Sequence, residues 1–134
     1  MLYKKGFVAG SFDLIHPGYI KLFNFAKKHC SFLIIGLHKD PSIERVKKHK
    51  PIHSLKERKL ILSSVRFVDK IISYETENDL LNILKKNELN VRFLDKSYKE
   101  LEYTGKNLKL PIIWVPRKHS YSTSNLIKKI KKSK

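Results

Sequence analysis

Short apolar runs alternate with helix-period stretches along the whole chain. Residues 3–9 hold Phe7, Val8 and Ala9 in a row and read as a buried strand. Pro17 opens the next segment, where a fixed φ and a missing N–H suit the first turn of a helix. Tyr19, Ile20, Leu22, Phe23 and Ala26 give that helix a broad apolar face. Residues 31–37, Ser-Phe-Leu-Ile-Ile-Gly-Leu, form a second buried run. After a polar stretch at 38–53 with Pro41 and Pro51, Ser54-Leu55-Lys56-Glu57 spells a capping box. Leu55, Ile61, Leu62, Val65 and Val68 then share one helical face. Strands are predicted at 68–73 and 91–94. Between them lies a helix opened by Thr76-Glu77-Asn78-Asp79, carrying Leu80, Leu81, Ile83 and Leu84 and ending near Asn87. A second polar stretch, 95–109, contains Gly105. Residues 110–115 are the last strand and 122–132 the last helix, with Leu126, Ile127 and Ile130 inward.

Such alternation predicts an α/β fold: a Rossmann-like, doubly wound, five-stranded parallel sheet with helices on both faces. Sheets of this kind bind ligands beyond the carboxyl ends of their strands, where the strand order reverses. The loops after the first, second, fourth and fifth strands all fall on that edge. Two of them, 38–53 and 95–109, exceed ordinary connections, which marks functional or disordered segments. At 134 residues the chain reads as a single domain, 1–134, ending in a basic tail at 128–134.

Composition narrows the partners. A hydrophobic content of 41% supports a packed core rather than a disordered chain. The net charge of +17 suits nucleic acid, an anionic membrane or small anionic substrates. No nucleic-acid-binding motif is visible, so nucleic acid is disfavoured. No signal pattern or long apolar run appears, so a cytoplasmic protein without membrane insertion is expected. The one cysteine, Cys30, excludes an internal disulfide and sits where a buried structural thiol is expected.

The first loop carries the densest chemistry: Gly10-Ser11-Phe12-Asp13-Leu14-Ile15-His16-Pro17-Gly18-Tyr19. A strand, a glycine turn and a helix start aim free backbone N–H groups and a positive dipole end at one spot, which suits a phosphate. His16 lies at that spot and can donate a charge-assisted hydrogen bond to an oxyanion. Spacing alone equally fits an ordinary strand-to-helix turn in which Gly10 ends the strand and His16 caps the helix.

The segment resembles the G-[ST]-F-D-x-x-H-x-G-H signature of cytidylyltransferase-like nucleotidyltransferases, notably the bacterial glycerol-3-phosphate cytidylyltransferases. Tyr19 stands where that signature has its second histidine. Arg117-Lys118-His119-Ser120-Tyr121-Ser122-Thr123-Ser124 resembles the family's R-T-x-x-I-S-T-T segment. By itself, Ser122 or Thr123 there is better read as a helix N-cap. His53-Ser54, Glu57 to Leu62 and Arg66-Phe67-Val68-Asp69 are similar to the family's central helix and following strand. The likeness runs from about residue 10 to residue 126.

What the resemblance implies is nucleotidyl transfer: CMP passes from CTP to a small phosphorylated alcohol of the glycerol 3-phosphate type, and pyrophosphate leaves. The product would serve cell-surface polysaccharide or lipid precursor synthesis. His16, Lys47 and Arg117 would be the catalytic residues. Ser11, Phe12, His16, Gly18, Tyr19, Asp95, Arg117, Tyr121, Ser122 and Thr123 would bind the nucleotide. Lys47, Lys48 and Arg66 would take the acceptor phosphate, with Lys50 able to share. Mg²⁺ would arrive with the triphosphate and need few or no protein ligands, and a homodimer is expected. Tyr19 can donate one hydrogen bond but brings no positive charge near neutral pH. The missing charge would come from the basic run at 45–50. Two other readings stay open: adenylyl transfer to a different phosphorylated acceptor, and a catalytically weakened homologue that binds nucleotides or polyanions.

Overall fold

A computed structural model describes residues 2–133; Lys134, the last residue of the expected basic tail, lies outside them. The elements are β1 (Tyr3–Gly10), α1 (Pro17–Lys27), β2 (Cys30–His38), α2 (Leu55–Ser63), β3 (Lys70–Tyr74), α3 (Glu77–Lys86), β4 (Val91–Asp95), β5 (Ile112–Val115) and α4 (Thr123–Lys132). One 3-10 turn, Lys96–Tyr98, follows β4. All strand pairs are parallel, in the order β3-β2-β1-β4-β5. The chain therefore builds outward from β1 to β3, then returns to the other side of β1. That reversal lies between β1 and β4, and the loops leaving those two strands flank it.

Strand periodicity splits the core in two. Val8, Leu33, Ile35, Leu37, Val91 and Phe93 meet Phe23 and Ala26 of α1 and Leu62 of α2 on one face of the sheet. Their strand neighbours Phe7 and Ile34 meet Leu80, Ile83 and Leu84 of α3 on the other. Helices thus cover both faces, the doubly wound Rossmann-like arrangement expected from the alternation. Each fully buried side chain of this kind contributes about 1.5–3 kcal/mol. The capping boxes at Ser54/Glu57 and Thr76/Asp79 both form and fix where α2 and α3 begin.

Two strands start later than the hydrophobic pattern suggests. β3 begins at Lys70 because Val68 N–H closes a turn onto Val65 O after α2. Asp69 is then held by Leu33, its N–H bonding Leu33 O at 3.0 Å and its carboxylate accepting Leu33 N–H at 2.7 Å. β5 begins at Ile112 because Pro111 has no N–H to give the sheet. Cys30 is buried with Sγ against Ala26 O, and burial pushes its thiol pKa up. Residues 128–132 of the expected tail belong to α4. Among the described residues no helix is long and apolar enough to cross a membrane.

Candidate active site

The loop after β1 is held in a conformation its own residues disfavour. Phe12 and Leu14 both take left-handed backbone angles, φ 46° and 52°, which cost bulky residues on the order of 1–3 kcal/mol each. Surrounding contacts impose them. Phe12 is buried, its ring edge-on to Phe23 at 5.3 Å and to Tyr19 at 5.2 Å. Asp13 turns inward, and its carboxylate accepts the N–H groups of Ile52 at 2.7 Å and His53 at 2.9 Å. Arg58, 1% exposed, donates to four carbonyls: His53 O at 3.1 Å, Ser11 O at 2.8 Å, His38 O at 2.7 Å and Lys39 O at 2.6 Å. One guanidinium thereby ties the loops after β1 and β2 to the start of α2.

His16 is the N-cap of α1. Its Nδ1 accepts Gly18 N–H at 3.1 Å, so in the neutral ring the proton sits on Nε2. That Nε2 is buried and has no partner among the described residues. Burial, with Arg117 and His119 nearby, holds the His16 pKa below its ordinary value of 6.5. In the free protein His16 is therefore a neutral donor, and a bond from its Nε2–H to an oxyanion is charge-assisted through the acceptor. Gly18 is required to be glycine: a Cβ there would stand 2.8 Å from His16 Cε1 and 3.0 Å from His119 Cε1.

Tyr19 stacks on His16, with ring centroids 4.1 Å apart. Its hydroxyl lies 2.9 Å from Thr123 Oγ1, which itself donates to Asp13 O at 2.8 Å. The threonine has one hydroxyl proton and spends it on Asp13, so Tyr19 must be the donor of the other bond. Tyr19 thus joins α1 to the start of α4, and burial pushes its phenol pKa up. Its hydroxyl and that of Thr123, both expected to hold the nucleotide, have their protons committed to the protein. Ser122 caps α4 by accepting Asn125 N–H at 2.9 Å. Arg117 donates to Tyr121 O.

A cavity of about 800 Å³ opens over these loops at the carboxyl edge of the sheet. Ser11, Phe12, His16, Gly18, Tyr19, Asp95, Arg117, Tyr121, Ser122 and Thr123 all reach its wall, so the loops after β1 and β5 share one cleft. Lys48 and Lys50 line it too, with Arg45. Lys47 and Arg66 do not. Lys47 is exposed, and Arg66 stacks over Phe67 between α2 and β3. α2 runs back across the sheet, so Arg66 emerges at the amino edge, away from the cavity.

The sequence pattern missed another part of the cavity wall, formed by Tyr74, Glu77, Arg92, Tyr103 and Thr104. Arg92 is 4% exposed on β4, donates to Thr104 O at 2.6 Å and leaves Nε unpartnered. Its guanidinium lies 5.5 Å from the Tyr103 ring centroid. An arginine inside the apolar run Val-Arg-Phe-Leu was the available signal. Gly105, at φ 83°, keeps the 99–108 segment folded against Arg92. His38, Glu44 and Glu77 bring ligand atoms within 4.8 Å of one another. Glu77 already receives Arg45 and Thr104 there, and Glu44 receives Glu77 N–H.

Comparison with known proteins agrees with this geometry. The model of a family described as cytidylyltransferase-like matches residues 7–129. The bifunctional protein HldE of Helicobacter hepaticus is 33% identical over 129 residues, covering 96% of this chain and 27% of its own length. HldE of Campylobacter jejuni is 34% identical over 131 residues, with 96% and 28% covered. The chain thus spans about a quarter of the length of these curated relatives. Among solved structures, the lipopolysaccharide core biosynthesis protein of Thermoplasma volcanium shares the fold, with a TM-score of 0.68 and 22% identity over 89% of this chain and 98% of that one.

Proposed function

The chain belongs to the cytidylyltransferase-like family of nucleotidyltransferases, and from that premise we propose that it joins a nucleoside monophosphate to a phosphorylated sugar or polyol. An acceptor phosphate oxygen attacks the α-phosphorus of the triphosphate. The new P–O bond forms as the bond to the β-phosphate oxygen breaks, and pyrophosphate carries away the electron pair. No covalent enzyme intermediate is needed, so the protein positions the reactants and stabilises charge on the phosphoryl oxygens.

One observation carries the reading: the unpartnered, buried Nε2–H of His16 at the start of α1. A buried donor without an acceptor costs about 1–3 kcal/mol. A phosphoryl oxygen satisfies it, and does so best as charge grows in the transition state. Arg117 and the Ser122 hydroxyl at the α4 N-terminus add donors on the same cleft. Lys48 and Lys50 take the acceptor phosphate, a duty first assigned also to Lys47 and Arg66. The part of the wall with Tyr74 and Tyr103 beside Arg92, Glu77 and Thr104 suits the body of the acceptor. Aromatic faces take the carbon framework and the polar groups take hydroxyls.

Mg²⁺ enters on the triphosphate. Of the carboxylates on the wall, Asp13 spends both oxygens on backbone N–H groups, and Glu77 takes Arg45 and Thr104 on Oε1 alone. Asp95 gives one oxygen to Ser97 N–H, and among the described residues neither its other oxygen nor Glu77 Oε2 accepts a hydrogen bond. Such a wall fits a metal held mainly by phosphates and water. CTP is the first nucleotide to test and ATP the second. Products of this kind are activated precursors for cell-surface polysaccharide or lipid. Pyrophosphate release is measured with Mg²⁺, each of the four triphosphates and a set of sugar and polyol phosphates including glycerol 3-phosphate. Release with one nucleotide and one acceptor class is the expected result. No release from any pair, with triphosphate binding retained in calorimetry, would leave a binding homologue in place of an enzyme.

A further inference from the structure

Two imidazoles meet at Gly18. His16 Cε1 and His119 Cε1 lie 2.8 Å and 3.0 Å from the point a Cβ on Gly18 would occupy. One comes from the loop after β1, the other from the loop after β5. Both are wired alike: His16 Nδ1 accepts Gly18 N–H and His119 Nδ1 accepts Tyr121 N–H, each at 3.1 Å. Neutral rings held in this way carry their proton on Nε2, so both present that atom as a donor. His16 Nε2 is buried without a partner, and His119, half-exposed, makes no hydrogen bond through Nε2 among the described residues.

His119 helps to close its own loop through Nδ1 and its contact with the Tyr121 ring, 5.4 Å between centroids, and that use leaves Nε2 over. Arg117 Nη2 and the Tyr121 backbone already close the β5–α4 loop on itself. Ser122 supplies the cap of α4, and Asn125 Nδ2 adds a bond to Ser120 O at 2.7 Å. The glycine, by contrast, is needed to admit both rings. Space has been kept for two donors where a chain of phosphates, with several acceptor oxygens a few ångströms apart, can use both.

We propose that His119 is a second polyphosphate-binding residue, its Nε2–H holding the pyrophosphate portion of the triphosphate while His16 serves the α-phosphate. This rests on the nucleotidyl-transfer reading above and deepens it. It also accounts for Tyr19. With the second imidazole supplied across the cleft by the β5–α4 loop, position 19 is released to join α1 to α4 through Thr123. The sequence had pointed to the basic run at 45–50 as the substitute for a histidine at position 19. His119 is the group that stands against Gly18.

Inorganic pyrophosphate with Mg²⁺ is the probe, titrated into ¹⁵N-labelled protein while the imidazole nitrogens are followed by NMR. The Nε2 signals of both His16 and His119 are expected to move together. His119→Ala should weaken pyrophosphate binding about tenfold in calorimetry, roughly 1.4 kcal/mol, and leave CMP and AMP binding within about twofold. His119→Gln, whose amide can occupy the Nε2 position, should recover most of the loss. A merely structural residue would not give that rescue, and the melting temperature of each variant checks the fold. If the His16 signal moves alone and His119→Ala binds pyrophosphate like the parent, the assignment of His119 is overturned while the nucleotidyl reading stands. If neither signal moves and no triphosphate binds, both are overturned.

Discussion

Two buried polar clusters lie at the same edge of the sheet and differ in one respect. Around Arg58, four guanidinium N–H groups meet four carbonyls, and the Asp13 carboxylate meets two backbone N–H groups. Around Gly18, His16 and His119 each use one nitrogen on the backbone and leave the other without a protein partner among the described residues. In the first cluster the guanidinium and the carboxylate are saturated, while His53 Nδ1 beside them is buried with no hydrogen-bond partner among the described residues. The cluster's charged groups are spent on holding a strained loop. The second carries unmet hydrogen-bonding capacity that folding left in place. What separates them is where the unmet nitrogen lies: His16 stands on the wall of the cavity, and His53 is not among the residues that line it.

The largest effect expected from this contrast is at the saturated cluster. Arg58→Ala strands several buried carbonyls, each costing about 1–3 kcal/mol. Stability should fall by roughly 3–5 kcal/mol in urea unfolding, and activity should fall with the folded fraction. A variant that keeps its stability but loses turnover would reverse the roles assigned to the two clusters.

His16→Ala is the matching change on the unsaturated side. Turnover should drop about a hundredfold or more, near 3 kcal/mol of transition-state stabilisation. Stability should fall by no more than about 2 kcal/mol, because the losses are the cap bond to Gly18 and the stacking against Tyr19. Near-parental kcat would remove His16 from the reaction.

Much of this contrast could be read from the chain, and the remainder could not for identifiable reasons. Hydrophobic period and capping boxes specify every helix and strand to within a few residues, and β1 to α1 is a recognisable phosphate-type turn. The two polar stretches at 38–53 and 95–109 stood out by length, yet their inward contacts did not. Asp13 bonds Ile52 and His53 from 39 and 40 residues away, and Arg58 reaches back to Ser11. Such pairings depend on tertiary closure, not on local pattern. Arg66 was misplaced for a related reason: a motif likeness gives order along the chain, whereas the direction of α2 decides which edge of the sheet a residue reaches. His119 carried no signal in the sequence beyond being a polar loop residue before a helix. Its neighbour across the cleft is Gly18, 101 positions earlier.

Tyr19 sits between the two clusters, so removing its hydroxyl sharpens the comparison with a smaller effect. Tyr19→Phe deletes the bond to Thr123 and leaves the Thr123 bond to Asp13 and the stacking on His16 intact. A loss of about 1 kcal/mol in stability is expected. Triphosphate affinity should stay within about twofold, since that hydroxyl proton is already committed. A tenfold loss of triphosphate binding without loss of stability would return Tyr19 to the ligand side.

Acidification gives the smallest effect and tests the unsaturated cluster without any ligand. Burial, Arg117 and His119 hold the His16 pKa below 6.5, so the folded chain resists a proton that the unfolded chain accepts. Where the unfolded state binds more protons, stability rises with pH and falls as pH is lowered. The contribution of His16 is therefore fully present above about pH 6.5 and is lost as pH drops through that value toward the folded pKa. One proton cannot produce a slope steeper than about 1.4 kcal/mol per pH unit. Urea unfolding of the parent and of His16→Gln between pH 7.5 and about 5 isolates this term, because the other histidines are common to both proteins. The parent should lose more stability on acidification than the variant, and the gap should narrow when pyrophosphate and Mg²⁺ are added, since a bound anion favours the protonated ring. Equal slopes for the two proteins would mean that His16 is not desolvated in solution, and the donor without a partner would lose its claim as the mark of the site.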